Sequence, residues 1–564
     1  MLIAMYRQLT KPIKGCLAVT LSLLFVLSSC TDLDETINSE VTSEQFFQTD
    51  QEFISALGDA YNPLTIWGQH NGWTSMNHTS SDEGIITQKG TDWEDGGIWI
   101  RMQRHTYLWD DAEINNGWTS LFSGVNNANR LIFQFESLVE SGDVSEEDAA
   151  SFIAELKAVR AFYYYMLLDG WGNVPIVDSF EDAPENPANS QNFQEGRTAV
   201  FEFVESELLN SVDLVSDDVN ATYGRVNKFV VHMLLAKLYM NAEVYTGTPR
   251  YDDALTQLDA IIDSGKYSLV SNYADNFATN NSGSPELMFV VPYDKVFLTG
   301  FNLAQMTLHY QNQLTFNLEQ QPWNGYAAME EAYTRHIDPQ SNPGPQGEVW
   351  GVEATSTEQG LDRIQGTLDE RLTNFVVGPQ FDSQGNRLTD ESATTADPNG
   401  PPLTLTPEIQ NLAPNGLRQG GARVGKFEYE AGATPDLSND YPIFRYADVL
   451  LMKAEALWRT NQQPGEALRL VNLIRNRAGV DDYSSLDADK LIDERGREMF
   501  WEVTRRQDLI RFEGLEGETR FNDSWSFKDV SPPEKNVFPI PRDQLEANEN
   551  LFQNPSYEGP RVAN

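Results

Sequence analysis

Apolar residues return at three- and four-residue steps in two separated parts of the chain, and lose that step between them. Near the start, Phe46, Phe47, Phe53, Ile54, Leu57 and Tyr61 fall on one helical face. Residues 111–142 predict a long helix, with Leu121, Val125, Ala128, Leu131 and Phe135 as its stripe. Ser145, followed by Glu146, Glu147 and Asp148, predicts an N-cap with acidic residues in the first turn. The helix it opens runs through Phe152, Leu156, Val159 and Phe162–Tyr165 to a stop at Gly170-Trp171-Gly172. Further helices are expected at about 197–215, 225–245 and 250–264, and again at about 443–460, 465–478 and 487–503.

Two stretches break the pattern. Residues 62–110 are rich in Gly, Trp and Asp without a sustained period, which predicts a long ordered loop region, and long loops inside compact domains usually carry function. Residues 268–440 carry repeated turn signals (Asn280 to Gly283, Pro339 to Pro345, Asp397 to Pro402) and predict loops, short helices and a few short strands. The tail, 530–564, is irregular and Pro-rich.

The helices read as pairs. Leu235, Ala236 and Tyr239 on one are matched by Ala254, Leu258 and Ile261 on the next. Ala454 and Leu457, then Ala467, Val471 and Ile474, repeat the arrangement. Small residues where two helices cross allow close packing. The expected class is therefore mainly α, with tetratricopeptide-like helix pairs as a scaffold, long ordered loops and a few short strands, although no strict 34-residue period holds.

Charge and cysteine usage place the protein. Arg7, Lys11 and Lys14 precede an apolar run from Leu17 to Leu27, and the stretch ends Leu27-Ser28-Ser29-Cys30. This predicts a secretory signal too short to span a bilayer. The ending resembles a bacterial lipobox, which implies cleavage before Cys30 and lipid attachment to it. Cleavage would leave 37 basic against 84 acidic residues, a net charge of −47, and only one cysteine. Nucleic acid is disfavoured as a partner, because that interface needs a basic footprint. Disulfides and cysteine metal sites are excluded. The acidity suits a saline habitat, since charge keeps a surface soluble where salt screens it.

Four segments in order resemble the SusD/RagB family of outer-membrane nutrient-uptake lipoproteins. They are Ala158 with Arg160–Asp169 and Gly170 to Ile176; Arg445–Glu455 with Ala456; Glu494–Phe500 with Arg505–Ile510 and Arg511; and Phe538-Pro539-Ile540 with Pro541, Asn554 and Pro555. Met166 departs from the small residue usual in the first. The resemblance implies a signal peptide at 1–29, lipidated Cys30 with an acidic tether at 30–42, and one domain at 43–564. That domain divides into an N-terminal part (43–267), a loop-rich insertion (268–440) and C-terminal helices with the tail (441–564). The acidic cluster Asp32-Leu33-Asp34-Glu35 implies display on the cell surface. The implied role is a lid over a SusC-like TonB-dependent outer-membrane transporter, not an enzyme. No His-Glu-x-x-His, Gly-x-Ser-x-Gly or phosphate loop is present, the six His show no zinc spacing, and no full EF-hand pattern occurs. No cofactor or metal is expected. With 84 acids, counting alone leaves a hydrolytic carboxylate pair open. Glu494, Arg495, Glu498, Arg505, Arg506 and Asp508 read as an ion network holding the last helix.

A sugar needs flat aromatic platforms and side chains that pair with hydroxyls. Two loops offer them: Ser81-Asp82-Glu83 through Gly90 to Gly97, and Gln320 to Tyr326. In relatives, loops resembling these approach the sugar. On that ground Trp93 and Trp323 are expected to stack, and Asp82, Asn324 and Arg371 to make polar contacts. Trp67, Trp73, Trp99 and Trp109 are expected in the core. The net charge favours a neutral glycan; a marine habitat would point to a laminarin-like β-glucan, and a fructan or other neutral glycan stays open. The alternative is a peptide-binding lid of the RagB type.

Overall fold

The periodic stretches fold as helices close to their expected spans, and the aperiodic ones as loops stitched by short strands. The structure is a computed structural model that describes residues 47, 49–336, 369–390 and 400–564, with the backbone of 352–353 and 362–363. Asp50–Asn564 is one structural unit. The expected signal peptide, Cys30 and the expected tether lie outside the described residues.

Helix α1 (Asp50–Tyr61) and a 3-10 turn (Asn62–Trp67) lead to α2 (Trp73–Thr79), strand β1 (Gly84–Ile86) and α3 (Ile98–Gln103). The long α4 (Ala112–Ser141) and α5 (Glu146–Gly170) follow, then α6 (Phe193–Ser211), α7 (Lys228–Met240), α8 (Ala242–Thr246) and α9 (Tyr251–Asp263). The loop-rich part holds β2 (Leu287–Val291), α10 (Leu303–Thr307), α11 (Asn312–Phe316), β3 (Tyr326–Ala328), α12 (Glu330–Arg335), β4 (Phe375–Val376) and β5 (Arg423–Val424). Strand β6 (Tyr441–Arg445) runs directly into α13 (Tyr446–Arg459), followed by α14 (Pro464–Arg477), α15 (Ala488–Glu498) and α16 (Arg505–Arg511).

The class is mainly helical. The expected stripe of α4 is buried, and the helix ends at Gly142 in the left-handed conformation that favours glycine. The Ser145 hydroxyl accepts from the Asp148 amide at 3.1 Å, so the expected cap forms. Every residue of α5 from Ala158 to Gly170 is buried, which puts this helix at the centre, packed between α4 and α6. Helix α7 packs on α9, α13 on α14, and α9 on α13, which joins the two ends of the chain. The α4–α5 crossing depends on Gly124. A Cβ there would lie 2.2 Å from Cζ of Tyr163, whose hydroxyl is tied to the Ala60 carbonyl at 2.7 Å. Gly124→Ala is expected to cost about 1–3 kcal/mol through overpacking. Thermal unfolding checks this, and an unchanged midpoint would contradict the close approach.

Residues 62–110 depart from the expected continuous loop. All seven residues of α2 are buried, so the helix has no polar face and leaves no amphipathic period to read. Trp67, Trp73 and Trp99 sit in the core as expected, while Trp109 is half-buried.

The expected ion network exists and is larger than the sequence indicated. On α15, Glu494 pairs with Arg371, Arg475 and Arg497, and Glu498 pairs with Arg371, Arg445 and Arg477. Arg495 bridges Asp448 (2.9 Å) and Asp508 (2.8 Å). Antiparallel pairing of β6 with β2 carries Arg445 to Glu286 and Glu502. Buried charges of this kind hold only in networks where each is hydrogen-bonded.

Candidate ligand-binding site

One short ladder explains why two loops far apart in sequence meet. Strands β1 and β3 pair antiparallel, with Gly84 opposite Ala328, Ile85 opposite Ala327 and Ile86 opposite Tyr326. The chain leaving β1 at Ile86 therefore starts beside the chain entering β3 at Tyr326, and these are the two candidate loops. A third segment completes the framework. Ala328 donates to Ala422 O at 2.8 Å, next to β5. The Gln88 and Gly90 amides donate to Leu412 O and Pro414 O, and the Gly416 amide donates back to Gln88 O.

The second loop lies against the segment 305–308. The amides of Trp323, Asn324 and Gly325 donate to Gln305 O (2.6 Å), Leu308 O (3.1 Å) and Met306 O (2.7 Å). This anchorage leaves Trp323 38% exposed, its ring edge-to-face with His70 at 5.3 Å between centroids. Trp93 is half-buried and donates through Nε1 to the Trp323 carbonyl at 2.9 Å. Trp99 packs edge-on to Trp93 at 6.4 Å. The two expected stacking residues are thus brought together, joined by a hydrogen bond.

Trp93 (φ 60°) and Asn324 (φ 55°) both adopt the left-handed backbone conformation. For a bulky residue such as Trp this conformation is an outlier, and such strain clusters at functional sites. Gly325 is required beneath Trp93, because a Cβ would lie 2.6 Å from Cζ2 of that ring. Gly325→Ala is expected to displace the Trp93 indole and weaken ligand binding about 10-fold, a loss of about 1.4 kcal/mol, with little effect on unfolding. Titration of the variant checks this, and wild-type affinity would contradict it.

The polar residues land differently. Asn324 is buried and acts beneath the loop. Its Oδ1 accepts from Arg423 Nε (3.0 Å) and Nη2 (2.7 Å), and its Nδ2 donates to Arg418 O (3.2 Å). It positions Trp323 and Arg418 and offers no free polar atom to a ligand. Asp82 is also corrected. Its carboxylate is clasped by Arg505 (2.6 and 2.7 Å) and Arg335 (2.6 Å), on the wall of a separate polar cleft of about 500 Å3 that Trp525 and Arg520 also line. Burial raises its pKa, but the two guanidiniums outweigh that and hold it well below the usual carboxylate range. Arg371 has no exposed surface and is taken up by Asp369, Glu494 and Glu498. It is a strut of the ion network, not a ligand contact.

Several neighbours carried no sequence signal. Tyr310 is half-buried and donates to Asp92 Oδ2 at 2.7 Å. The Arg418 guanidinium lies over the Tyr310 ring, 5.5 Å from its centroid. Arg423 is buried with carbonyl partners, Asn324 Oδ1 and the backbone oxygens of Arg418, Gly420 and Gly421. Among the described residues it has no carboxylate partner, and burial pushes its pKa down to about 10. Lys89 is buried beside it, and burial first, then repulsion from Arg423, pushes its amine well down. Among the described residues, no group of three or more His, Cys, Asp or Glu is arranged to hold a metal.

Comparison with known proteins places this architecture. The chain is 25% identical over 490 residues, 80% of each chain, to the starch-binding protein SusD of Bacteroides thetaiotaomicron. It is 22% identical to the SusD-like protein P25 of Formosa agariphila, covering 94% of this chain and 96% of that one. Among solved structures, surface glycan-binding protein A from Bacteroides uniformis superposes with a TM-score of 0.66 at 20% identity, covering 90% of this chain and 99% of its own. The Bacteroides thetaiotaomicron surface glycan-binding protein A in complex with laminarihexaose superposes at 0.61 with 22% identity, covering 90% and 99%. The SusD family model matches residues 285–557, and a model described as starch-binding associating with outer membrane matches residues 34–240. By these two matches, which together span most of the sequence, the chain belongs to the SusD/RagB family.

Proposed function

We propose that this protein is a cell-surface lipoprotein, anchored through Cys30, that captures a glycan and delivers it to a SusC-like TonB-dependent outer-membrane transporter. The observation that carries the proposal is the Trp93–Trp323 pair. An exposed aromatic face is mounted on hydrogen-bonded loops, and its partner stands in a strained backbone. Large apolar rings held at the surface in this way mark binding sites for ligands with an apolar face and a polar rim. The starch- and glycan-binding relatives support a sugar as that ligand. The acidic surface favours a neutral glycan, and the laminarihexaose complex and a laminarin-binding SusD-like neighbour support a laminarin-like β-glucan. The protein acts as a binder rather than an enzyme. No helix among the described residues is long and apolar enough to cross a membrane, in keeping with attachment by lipid.

The test is calorimetric titration of the protein against neutral oligosaccharides, acidic oligosaccharides and peptides. Saturable binding of a neutral glycan is expected. Binding of peptides alone would replace the glycan reading with the peptide-lid alternative.

A further inference from the structure

We propose that Arg418, opposed by Asp92, determines specificity at the Trp93–Trp323 site by hydrogen-bonding an uncharged sugar. This inference rests on the glycan reading above. Asp92 lies in the first candidate loop, whereas Arg418 does not stand out in the sequence; the three-segment framework brings them to one aromatic ring.

The first ground is that the hydrogen-bonding capacity of the Arg418 side chain is unused. Among the described residues its guanidinium makes no hydrogen bond and no ion pair, and its Nη1 is shielded without an acceptor. Its neighbour Arg423, by contrast, is bound on both edges. A shielded donor left unpaired is destabilising. Arg418 as a whole is half-buried, so the guanidinium can gain a partner from an oxygen that arrives at its open side.

The second ground is the mounting. The Arg418 carbonyl accepts from Asn324 Nδ2 (3.2 Å) and Arg423 Nη2 (2.6 Å), so its backbone is fixed to the residue that follows Trp323. Its guanidinium rests on the face of Tyr310. A side chain held this way loses little freedom when it binds.

The third ground is charge balance. The Tyr310 hydroxyl holds Asp92, whose side chain is exposed, so one ring carries a cation on its face and a carboxylate at its hydroxyl. Sugar hydroxyls both donate and accept, and one fixed donor beside one fixed acceptor reads them in complementary fashion. A carboxylated or sulfated ligand would instead meet Asp92, Glu94 and Asp95, all exposed on the same loop. The pairing therefore selects an uncharged sugar.

The experiment titrates laminarihexaose into the full-length protein in detergent, as wild type and as Arg418→Gln, Arg418→Lys, Asp92→Asn and Trp323→Ala. Arg418→Gln is expected to weaken binding at least 10-fold with an unchanged melting temperature. Arg418→Lys is expected to recover part of the loss, because it keeps the charge without the planar fork. Asp92→Asn is expected to weaken neutral-sugar binding and to narrow the discrimination against a glucuronate-containing oligosaccharide. Wild-type affinity in Arg418→Gln, with binding lost in Trp323→Ala, would overturn the role of Arg418 and leave the glycan site standing. No binding of laminarihexaose by the wild type would overturn the inference and the laminarin reading together.

Discussion

Trp323→Ala is expected to weaken glycan binding by at least about 30-fold, equivalent to about 2 kcal/mol and typical of an aromatic hot spot, while leaving the fold intact. The ring contributes little to the core, since Trp323 is one of the exposed large apolar side chains among the described residues. Its backbone is fixed independently of the ring, through the amides of residues 323–325. Truncation therefore removes the platform and keeps its mount. Trp93→Ala should lose as much by a second route. It removes ring area and also the Nε1 bond to the Trp323 carbonyl that ties the two loops. Trp323→Ala should stay within about 0.5 kcal/mol of wild-type stability, as surface substitutions usually do, whereas Trp93→Ala, which gives up a half-buried ring and a hydrogen bond, should lose about 1 kcal/mol. Isothermal titration beside thermal unfolding separates the effects. A variant that binds normally would return that tryptophan to a packing role.

Glu498→Gln is expected to act in the opposite way, lowering stability by about 3–5 kcal/mol, the cost of breaking a buried ion pair from one side. Glu498 Oε2 accepts from Arg371 Nη1 (3.3 Å), and its Oε1 accepts from Arg445 Nη1 (3.1 Å) and from Arg477. An amide in its place turns an NH2 group toward guanidiniums that have no other use for a donor. The same site sets an acid limit. Burial raises the Glu498 pKa, but Arg477, Arg445 and Arg371 outweigh it and hold the carboxyl at about 2. Glu455 is held at about 2 in the same way by Arg511 and Arg459. Both sit below the unfolded value of about 4.3. Their contribution is therefore complete above that pH and is lost as pH falls toward about 2. Denaturant unfolding at pH 7, 4 and 3 should show the wild type losing stability over the acid steps and Glu498→Gln losing less. Equal stability of the two proteins at pH 7 would contradict the network's role.

Much of the helical frame was legible because its helices have one buried stripe and one wet face. Helix α4, with Leu121 to Phe135 inside, shows this well. Helix α2 was not legible, since it is only seven residues long and buried on all sides, which leaves no period for a reader to find. The two candidate loops were legible from Trp, Gly and Pro content, and the β1–β3 register explains why both belong to one site. Charged residues were harder. Asp82, at the start of the first loop, and Arg371 look in sequence like any polar side chain available to a sugar. Only the structure shows Arg505, Arg335, Glu494 and Glu498 closing on them from segments more than 100 residues away. Tyr310 and Arg418 were missed for the converse reason. Nothing near them in sequence marks a site, and they reach it only because β5 and the 411–418 segment join the same framework.

The most direct measurement is an experimental structure of the protein with a bound neutral oligosaccharide such as laminarihexaose. The expected result is a sugar ring stacked on the Trp323 face beside Trp93, with hydroxyls toward Arg418 and Asp92. A sugar bound instead in the cleft of Asp82, Arg520 and Trp525, with Trp323 untouched, would contradict the assignment of the site.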